Sequence, residues 1–380
     1  MDQTTTFLTR TTSEGRLLRA AVDVIASEGI DGMSVGKVSA AAELTRPTFY
    51  AYFESMSGLL ATMWMELGPA WLETVPDLSS TPEQMDPARQ RMHRAMLEVL
   101  ATAHRNPEVL EVVQPTVAQW WESVVSQGQF HAEKVAWLVS QRIGADITAP
   151  IDPDATSSGV LGLVLAALPQ APSLPDGRDV SFDVPSLNTF DPVGTDDDDE
   201  RLVLAAINVI ARSGVRGASM ARIARRAQVS TGAIYPRFPS IDDVIERSFD
   251  YAVRAIVADN FDRVQEAGSP HDYGMVILAG LSPSRRTWRD YRIEIHLEAR
   301  HHPSLATRLA GSIREANEIL VNSSEFLSRL PKQIVSPLPY LIHCLGIGLS
   351  VLQNAGVPVG GLDHPRISVE VGQFLRTMSH

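Results

Sequence analysis

An internal repeat constrains this chain more than any other feature. Arg16-Leu-Leu-Arg-Ala-Ala-Val-Asp-Val-Ile-Ala-Ser-Glu-Gly29 reads against Arg201-Leu-Val-Leu-Ala-Ala-Ile-Asn-Val-Ile-Ala-Arg-Ser-Gly214 without a gap. The match holds at an offset of 185 as far as Leu60 and Ile245, with 14 of 45 pairs identical. Far downstream, Leu161-Gly-Leu-Val-Leu-Ala-Ala-Leu168 pairs with Leu345-Gly-Ile-Gly-Leu-Ser-Val-Leu352 at an offset of 184. The repeating unit is therefore a whole domain, of a size that folds around its own core. A length of 380 residues suits two such domains, since single cores stop growing near ~250–300 residues. The expected organisation is a head over residues 1–60, a body over 61–170, a linker over 171–200, a second head over 201–246 and a second body over 247–380.

The repeat is helical. Leu17, Ala20, Ala21, Val24 and Ile25 fall at i, i+3, i+4, i+7 and i+8, and Leu202, Ala205, Ala206, Val209 and Ile210 reproduce that spacing. Gly29 and Gly214 stand where a helix C-terminal glycine belongs. Further helical patterns run over 57–74, 86–104, 114–142, 157–168, 241–266, 288–300, 303–329, 337–354 and 365–378. Asn-Gly hairpin signals are missing, so the expected fold class is all-α.

Net charge is −12, but its distribution matters more than its sum. Between Ser173 and Glu200 nine acids face one arginine, and four prolines lie between Ala171 and Asp199. Like charges and prolines favour an extended linker. From Arg201 to Arg247 eight arginines face three acids, a local charge of +5. The first head, from Arg10 to Glu54, is near −1. A basic patch inside an acidic chain is an electrostatic footprint for phosphate. The lone Cys344 excludes an internal disulfide, no Cys cluster suggests a metal site, and no apolar run has the ~18–20 residues that span a bilayer. The N-terminus lacks a signal-peptide pattern, so a soluble cytoplasmic protein is expected.

The motif that carries function follows each glycine. Ser34 caps one short helix, Glu43-Leu44-Thr45 is a tight turn with Leu44 buried, and Thr45 caps a second helix with Pro47 in its first turn. In the second copy Ser219 and Ser230 are the caps and Val229 lies in the turn. Two short helices joined by a three-residue turn form a helix-turn-helix, whose second helix enters the DNA major groove. At Ala42-Glu-Leu-Thr-Arg-Pro-Thr-Phe-Tyr50-Ala-Tyr-Phe53 and Ala227-Gln-Val-Ser-Thr-Gly-Ala-Ile-Tyr235-Pro-Arg-Phe238 the chain resembles the tetracycline-repressor (TetR) family of transcriptional regulators. "Asn106-Pro-Glu-Val-Leu" and "His302-Pro-Ser-Leu" resemble a loop of that family's regulatory domain. The resemblance implies three-helix DNA-binding heads on helical bodies that bind ligand and dimerise, in most members as a repressor that a small molecule releases from DNA.

This chain departs from the family pattern. It carries two copies, so it looks like a covalent pseudo-dimer. The lysine that usually follows the motif phenylalanine is Met56 in one copy and Ile241 in the other. The recognition segments also differ, Thr45-Arg-Pro-Thr against Ser230-Thr-Gly-Ala, so an asymmetric double-stranded operator is expected.

Candidate DNA contacts are Lys37, Thr45, Arg46, Thr48, Tyr50 and Tyr52 in the first head and Arg222, Arg225, Arg226, Ser230, Thr231, Tyr235 and Arg237 in the second. The resemblance gives Tyr235 a backbone contact through its hydroxyl. Phe49, Phe53 and Phe238 read as head core. Candidate effector-lining residues are Met92, Met96, Trp120, Trp121 and Trp137 in the first half, and Phe249, Trp288, Tyr291 and His296 in the second; stripes of this kind are more often plain core. They suggest an apolar small-molecule effector. His301 and His302 are adjacent and cannot share a helix face, which argues against a metal site with His296 and Glu298. His343-Cys344 sits in an apolar helix without an acidic neighbour, so a buried structural pair is expected rather than a nucleophile. No phosphate loop, serine elbow or carboxylate pair is present, so neither cofactor nor enzyme activity is expected. The alternative to a regulator is a ligand-binding or protein-interaction module with one or both heads degenerate. Helices 157–168 and 337–354, with Gly162, Gly346 and Gly348, are expected to pack the two halves together.

Overall fold

The computed structural model describes residues 7, 11–76, 84–127, 130–152, 190, 192, 195, 197–324, 327, 335 and 338–377. The expected helix 157–168 and most of the linker 171–200 lie outside the described residues. Among those described, helices occur and strands do not, so the fold is all-α. They form two compact units, one of residues 1–129 with 351–357, the other of 130–350 with 358–380.

The first unit begins with α1 (Ser13–Glu28), α2 (Val35–Ala41) and α3 (Arg46–Tyr52). The capping chemistry is as the sequence suggests. Thr12, Ser34 and Thr45 accept from the backbone N–H groups of Gly15, Lys37 and Thr48. Gly29 ends α1 at φ 78°, a left-handed value that costs glycine little, and its N–H bonds the Ile25 carbonyl at 2.9 Å. Phe49 and Phe53 are buried in the head, whereas Leu44 is only half-buried. The unit continues with α4 (Met56–Leu72), α5 (Pro87–Thr102) and α6 (Pro107–Ser126). Glu98 of α5 accepts from the Ile30 N–H at 2.8 Å, and Arg105 pairs with Asp31 at 3.0 Å. These bonds fix the head on its body.

The second unit holds α7 (Ala132–Thr148), α8 (Asp198–Ser213), α9 (Met220–Ala227), α10 (Ile241–Glu266), α11 (Pro270–Gly280), α12 (Arg286–Ala299), α13 (Pro303–Ser323), α14 (Leu338–Asn354) and α15 (His364–Thr377). In its head, α8 and α9 repeat α1 and α2, with Ser219 accepting from the Arg222 N–H at 3.3 Å and Gly214 at φ 73°. The Glu98 and Arg105 ties have a counterpart here, since Arg216 pairs with Glu298 at 3.0 Å.

Two helical expectations are corrected. The pattern over 114–142 is not one helix, because α6 stops at Ser126 and α7 starts at Ala132 behind an extended His131 (ψ 159°). Gly128, a poor helix former, stands in the sequence between them. A further helix, α11, lies outside the expected patterns, and Ser269 caps it by accepting from the Asp272 N–H at 3.4 Å.

Gly348 does lie at a helix crossing, and the described partner is α7. A Cβ on Gly348 would overlap the Ser140 carbonyl, and one on Gly144 would overlap the Cys344 carbonyl. Glycines on both helices thus bring the α7 and α14 backbones together. Gly346 instead lies under the Arg292 guanidinium, 3.2 Å from where its Cβ would be. The same unit holds a buried ionic tie between α7 and α15. His131 bridges Glu133 at 2.8 Å and Glu370 at 2.9 Å, with Lys134 3.6 Å from Glu370. Trp137 donates to His364 Nδ1 at 3.0 Å.

Candidate nucleic-acid interface

In the first head the helix period sorts α3 into two faces. Phe49 points inward and is fully buried, while Tyr50 and Tyr52 are 58% and 49% exposed. Thr45 and Arg46 are exposed beside them, and Thr48 is half-buried with its hydroxyl 2.8 Å from that of Thr45. Tyrosine joins an apolar ring to a polar hydroxyl and is enriched at contact faces. Among the described residues the large hydrophobics classed as exposed are Tyr50, Tyr52, Met65 and Tyr235, three of which lie on recognition segments. The Arg46 guanidinium folds over Gly36, 2.8 Å from where a Cβ would be, so the recognition helix and the start of α2 share one cationic edge. Lys37 turns away from that edge. It pairs with Glu28 and donates to the Gly32 carbonyl at 3.0 Å.

In the second head the recognition segment is not an α-helix. Residues Thr231–Ala233 form a single 3-10 turn, followed by turns up to Arg237. Bonds run from the Ala233 N–H to the Ser230 carbonyl at 3.0 Å and from the Arg237 N–H to the Ile234 carbonyl at 2.9 Å. Ser230 makes no side-chain cap, contrary to expectation. The sequence explains this. Pro236 has no N–H for the Gly232 carbonyl and disfavours a helical Tyr235, and Gly232 itself costs about 1 kcal/mol relative to alanine. Ser230, Thr231 and Tyr235 are nevertheless exposed, and Phe238 is buried as core.

The arginines of this head divide into two groups. Arg237 is held by the first turn of α8, at 3.0 Å from Asp198 and 2.6 Å from Asp199, and also donates to the Ala233 carbonyl. The acidic end of the linker therefore neutralises the recognition segment's own arginine. Four others, Arg212, Arg222, Arg225 and Arg226, line a pocket of about 310 Å³ together with Asn208 and Val209. Arg222 is anchored to the Gly217 carbonyl at 2.6 Å and Arg226 to the Asn208 side-chain carbonyl at 3.2 Å. Four arginines gathered in one place give this part of the head a local positive charge that attracts phosphate. Sequence reasoning missed Arg212. It sits on α8, ten residues upstream of Arg222, and only the packing of α8 on α9 brings it in.

The body residues are buried or partly so, and they do not form one site. In the first unit Met92, Met96, Trp120 and Trp121 belong to the interior. In the second, Trp137 is tied to His364, while Phe249 and Tyr291, with Trp288 against them, share the core of the second head and body. Tyr291 is hydrogen-bonded to Ser248 at 2.9 Å. His296 is bonded to His343 at 2.9 Å. Cys344 is fully buried, and burial, offset in part by bonds to Tyr340 and Thr148, pushes its thiol up to about 12. A thiol so protonated is not a nucleophile. Among the described residues no group of His, Cys, Asp and Glu is arranged to hold a metal ion, and no helix is long and apolar enough to cross a membrane.

Two stretches, residues 17–63 and 202–247, match the family model described as bacterial regulatory proteins, tetR family. No curated protein matches the chain.

Proposed function

From a TetR-family DNA-binding regulator with two tandem copies of the family's N-terminal domain, we infer a repressor that reads an asymmetric operator and is released by a small-molecule effector. The observation that carries the reading is the outer face of α3, where a capped helix with a buried Phe49 presents Arg46, Tyr50 and Tyr52 to solvent. Such a helix fits the major groove, with its N-terminal side chains toward base edges. The second head contributes differently. Its arginine pocket suits a backbone phosphate, while its recognition segment is irregular and Arg237 is engaged by Asp198 and Asp199. Unlike heads on one chain make a pseudo-dimer whose half-sites need not be symmetric.

A second reading has the second head degenerate, leaving one head to bind DNA. The missing recognition helix favours it. Selection of bound duplexes from a random pool, followed by footprinting, separates the two. Two unlike half-sites about one helical turn apart support two reading heads, and a single half-site supports the second reading. A chain that binds all duplexes equally, or none, overturns the regulator reading. Arg46→Ala is expected to alter base preference in one half-site, and Arg225→Ala to weaken binding to all sequences.

A further inference from the structure

Arg285, just before α12, and Arg289, Arg292 and His296 on it are spaced i, i+4, i+7 and i+11 along one face. Arg285 and Arg289 are 4% and 3% exposed and His296 is 2% exposed, so two buried cations and a buried histidine share one face of a core segment. The first copy is different. Aligned on Asn106-Pro107 and His302-Pro303, the same positions are Arg89, His93, Met96 and Leu100, and His93 accepts from the Trp71 indole at 3.0 Å.

Buried charge is expensive unless it is paired. Arg289 is partly satisfied, donating to the Gly280 and Ser282 carbonyls at 3.0 and 2.6 Å behind α11. Arg292 has less. Its guanidinium donates to the Ser350 hydroxyl at 3.2 Å and lies 5.9 Å from the Trp288 ring centre, and its buried Nε has no hydrogen-bond partner. Nearby carboxylates are engaged elsewhere: Asp290 with Arg286, Glu298 with Arg216 and His302, Asp146 with Arg142, and Asp152 with Arg314. Glu294 leaves α12 on the side opposite the arginines.

The neighbouring side chains supply no negative charge. His296 donates Nδ1–H to the Arg292 carbonyl at 2.7 Å, so its Nε2 accepts from His343 Nε2–H and both rings are neutral. Burial lowers both histidines, His296 to about 3. Burial, then Arg289 and Arg285, brings Arg292 down to about 10, still cationic at neutral pH.

The geometry points to a binding site between α12 and α14 for a hydrophobic organic carboxylate, its anion seated on Arg292 and its apolar part on the Trp288 side. A planar carboxylate matches a guanidinium fork, and Trp288 stacks with Phe190 at a ring separation of 6.0 Å. This names the effector class for the second body and rests on the regulator reading above. It also explains why the two bodies differ, since the equivalent stripe in the first body has no cation at the Arg292 or Arg289 position.

The test uses the full chain with benzoate as probe and benzyl alcohol and chloride as controls, read by calorimetry and thermal unfolding. Benzoate is expected to bind and to raise Tm more than chloride at equal ionic strength, and benzyl alcohol is expected to do neither. Arg292→Met should weaken benzoate binding about tenfold or more and leave the probe-free chain at least as stable, because an unpaired buried charge is gone. Arg292→Lys keeps the charge without the fork and should bind several-fold more weakly. No benzoate binding by the native chain overturns the inference, as does equal binding by either variant. A destabilised Arg292→Met that still binds benzoate assigns Arg292 to structure alone. Duplex binding, measured separately, tests the regulator reading, which survives if DNA binding is intact and benzoate binding fails.

Discussion

Glu43 and Gln228 stand 185 residues apart and adopt the same left-handed backbone, φ 52° and φ 59°. Each closes the turn of its helix-turn-helix. Residues with a Cβ hold this conformation at a cost of roughly 1–2 kcal/mol, which glycine avoids. Both heads therefore carry the same backbone strain in the same place.

Gln228→Gly is expected to stabilise the second head by about 1 kcal/mol, read as a rise in urea midpoint at unchanged m-value. Glu43→Gly should gain less, because Glu43 also pairs with Arg16 at 3.3 Å on the surface. A loss of stability in Gln228→Gly would show that the turn is not strained.

The crossing of α7 and α14 depends on having no side chain at two points. Gly144→Ala and Gly348→Ala should each destabilise the second unit by about 1–3 kcal/mol, since backbone and not a flexible tip must move. Gly311→Ala is the control, because nothing lies within 4 Å of its Cβ position. Equal Tm values for all three would contradict the close approach.

Arg237 and the two aspartates make opposite demands. Asp198→Asn with Asp199→Asn frees Arg237 for phosphate and is expected to tighten duplex binding and steepen the salt slope by about 0.9. The same change removes carboxylates from the α8 N-terminus and from the Arg201 pair, so stability should fall by about 0.5–1 kcal/mol. An unchanged salt slope would mean that Arg237 does not reach DNA.

The tie between α7 and α15 predicts a pH dependence with two limbs. The bond to Glu133 raises His131 above 6.5, against burial, with Glu370 adding to it. Its contribution is complete below 6.5 and is lost as pH rises through the raised value. Burial would raise Glu133, but bonds from His131 and from the Glu133 and Asp363 N–H groups outweigh it and hold the carboxyl at about 2. That contribution is present above 4.5 and is lost as pH falls toward 2. In urea midpoints measured from about pH 5 to 9, His131→Gln should flatten the alkaline limb. A native profile with no fall above the ordinary histidine range would rule out the charged bridge.

The heads were legible because their signals are local. A cap, a helix period and a C-terminal glycine lie within a few residues of what they control, as Thr45, Phe49 and Gly29 show. The second recognition segment shows the limit. The repeat with the first copy suggested a helix, whereas Pro236 argued against one, and steric exclusion prevailed over likeness. Tertiary relations were out of reach. The charge count put Arg212 and Arg225 in one basic stretch, but nothing in sequence seats them at one pocket or announces that Arg237 is held by Asp198 and Asp199. The arginines of α12 were visible as letters, but their significance depends on burial and on carboxylates being engaged elsewhere.

The seating of α7 bears on whether the two halves can be separated. The boundaries expected from the repeat put α7 in the first copy, yet its backbone rests on α14 and its N-terminal end is tied to α15. Cutting the gene at the linker would return two separate polypeptides, one with an orphaned helix and the other with an unfilled groove. Neither half would then hold a complete set of packed helices, so the two must stay on one chain.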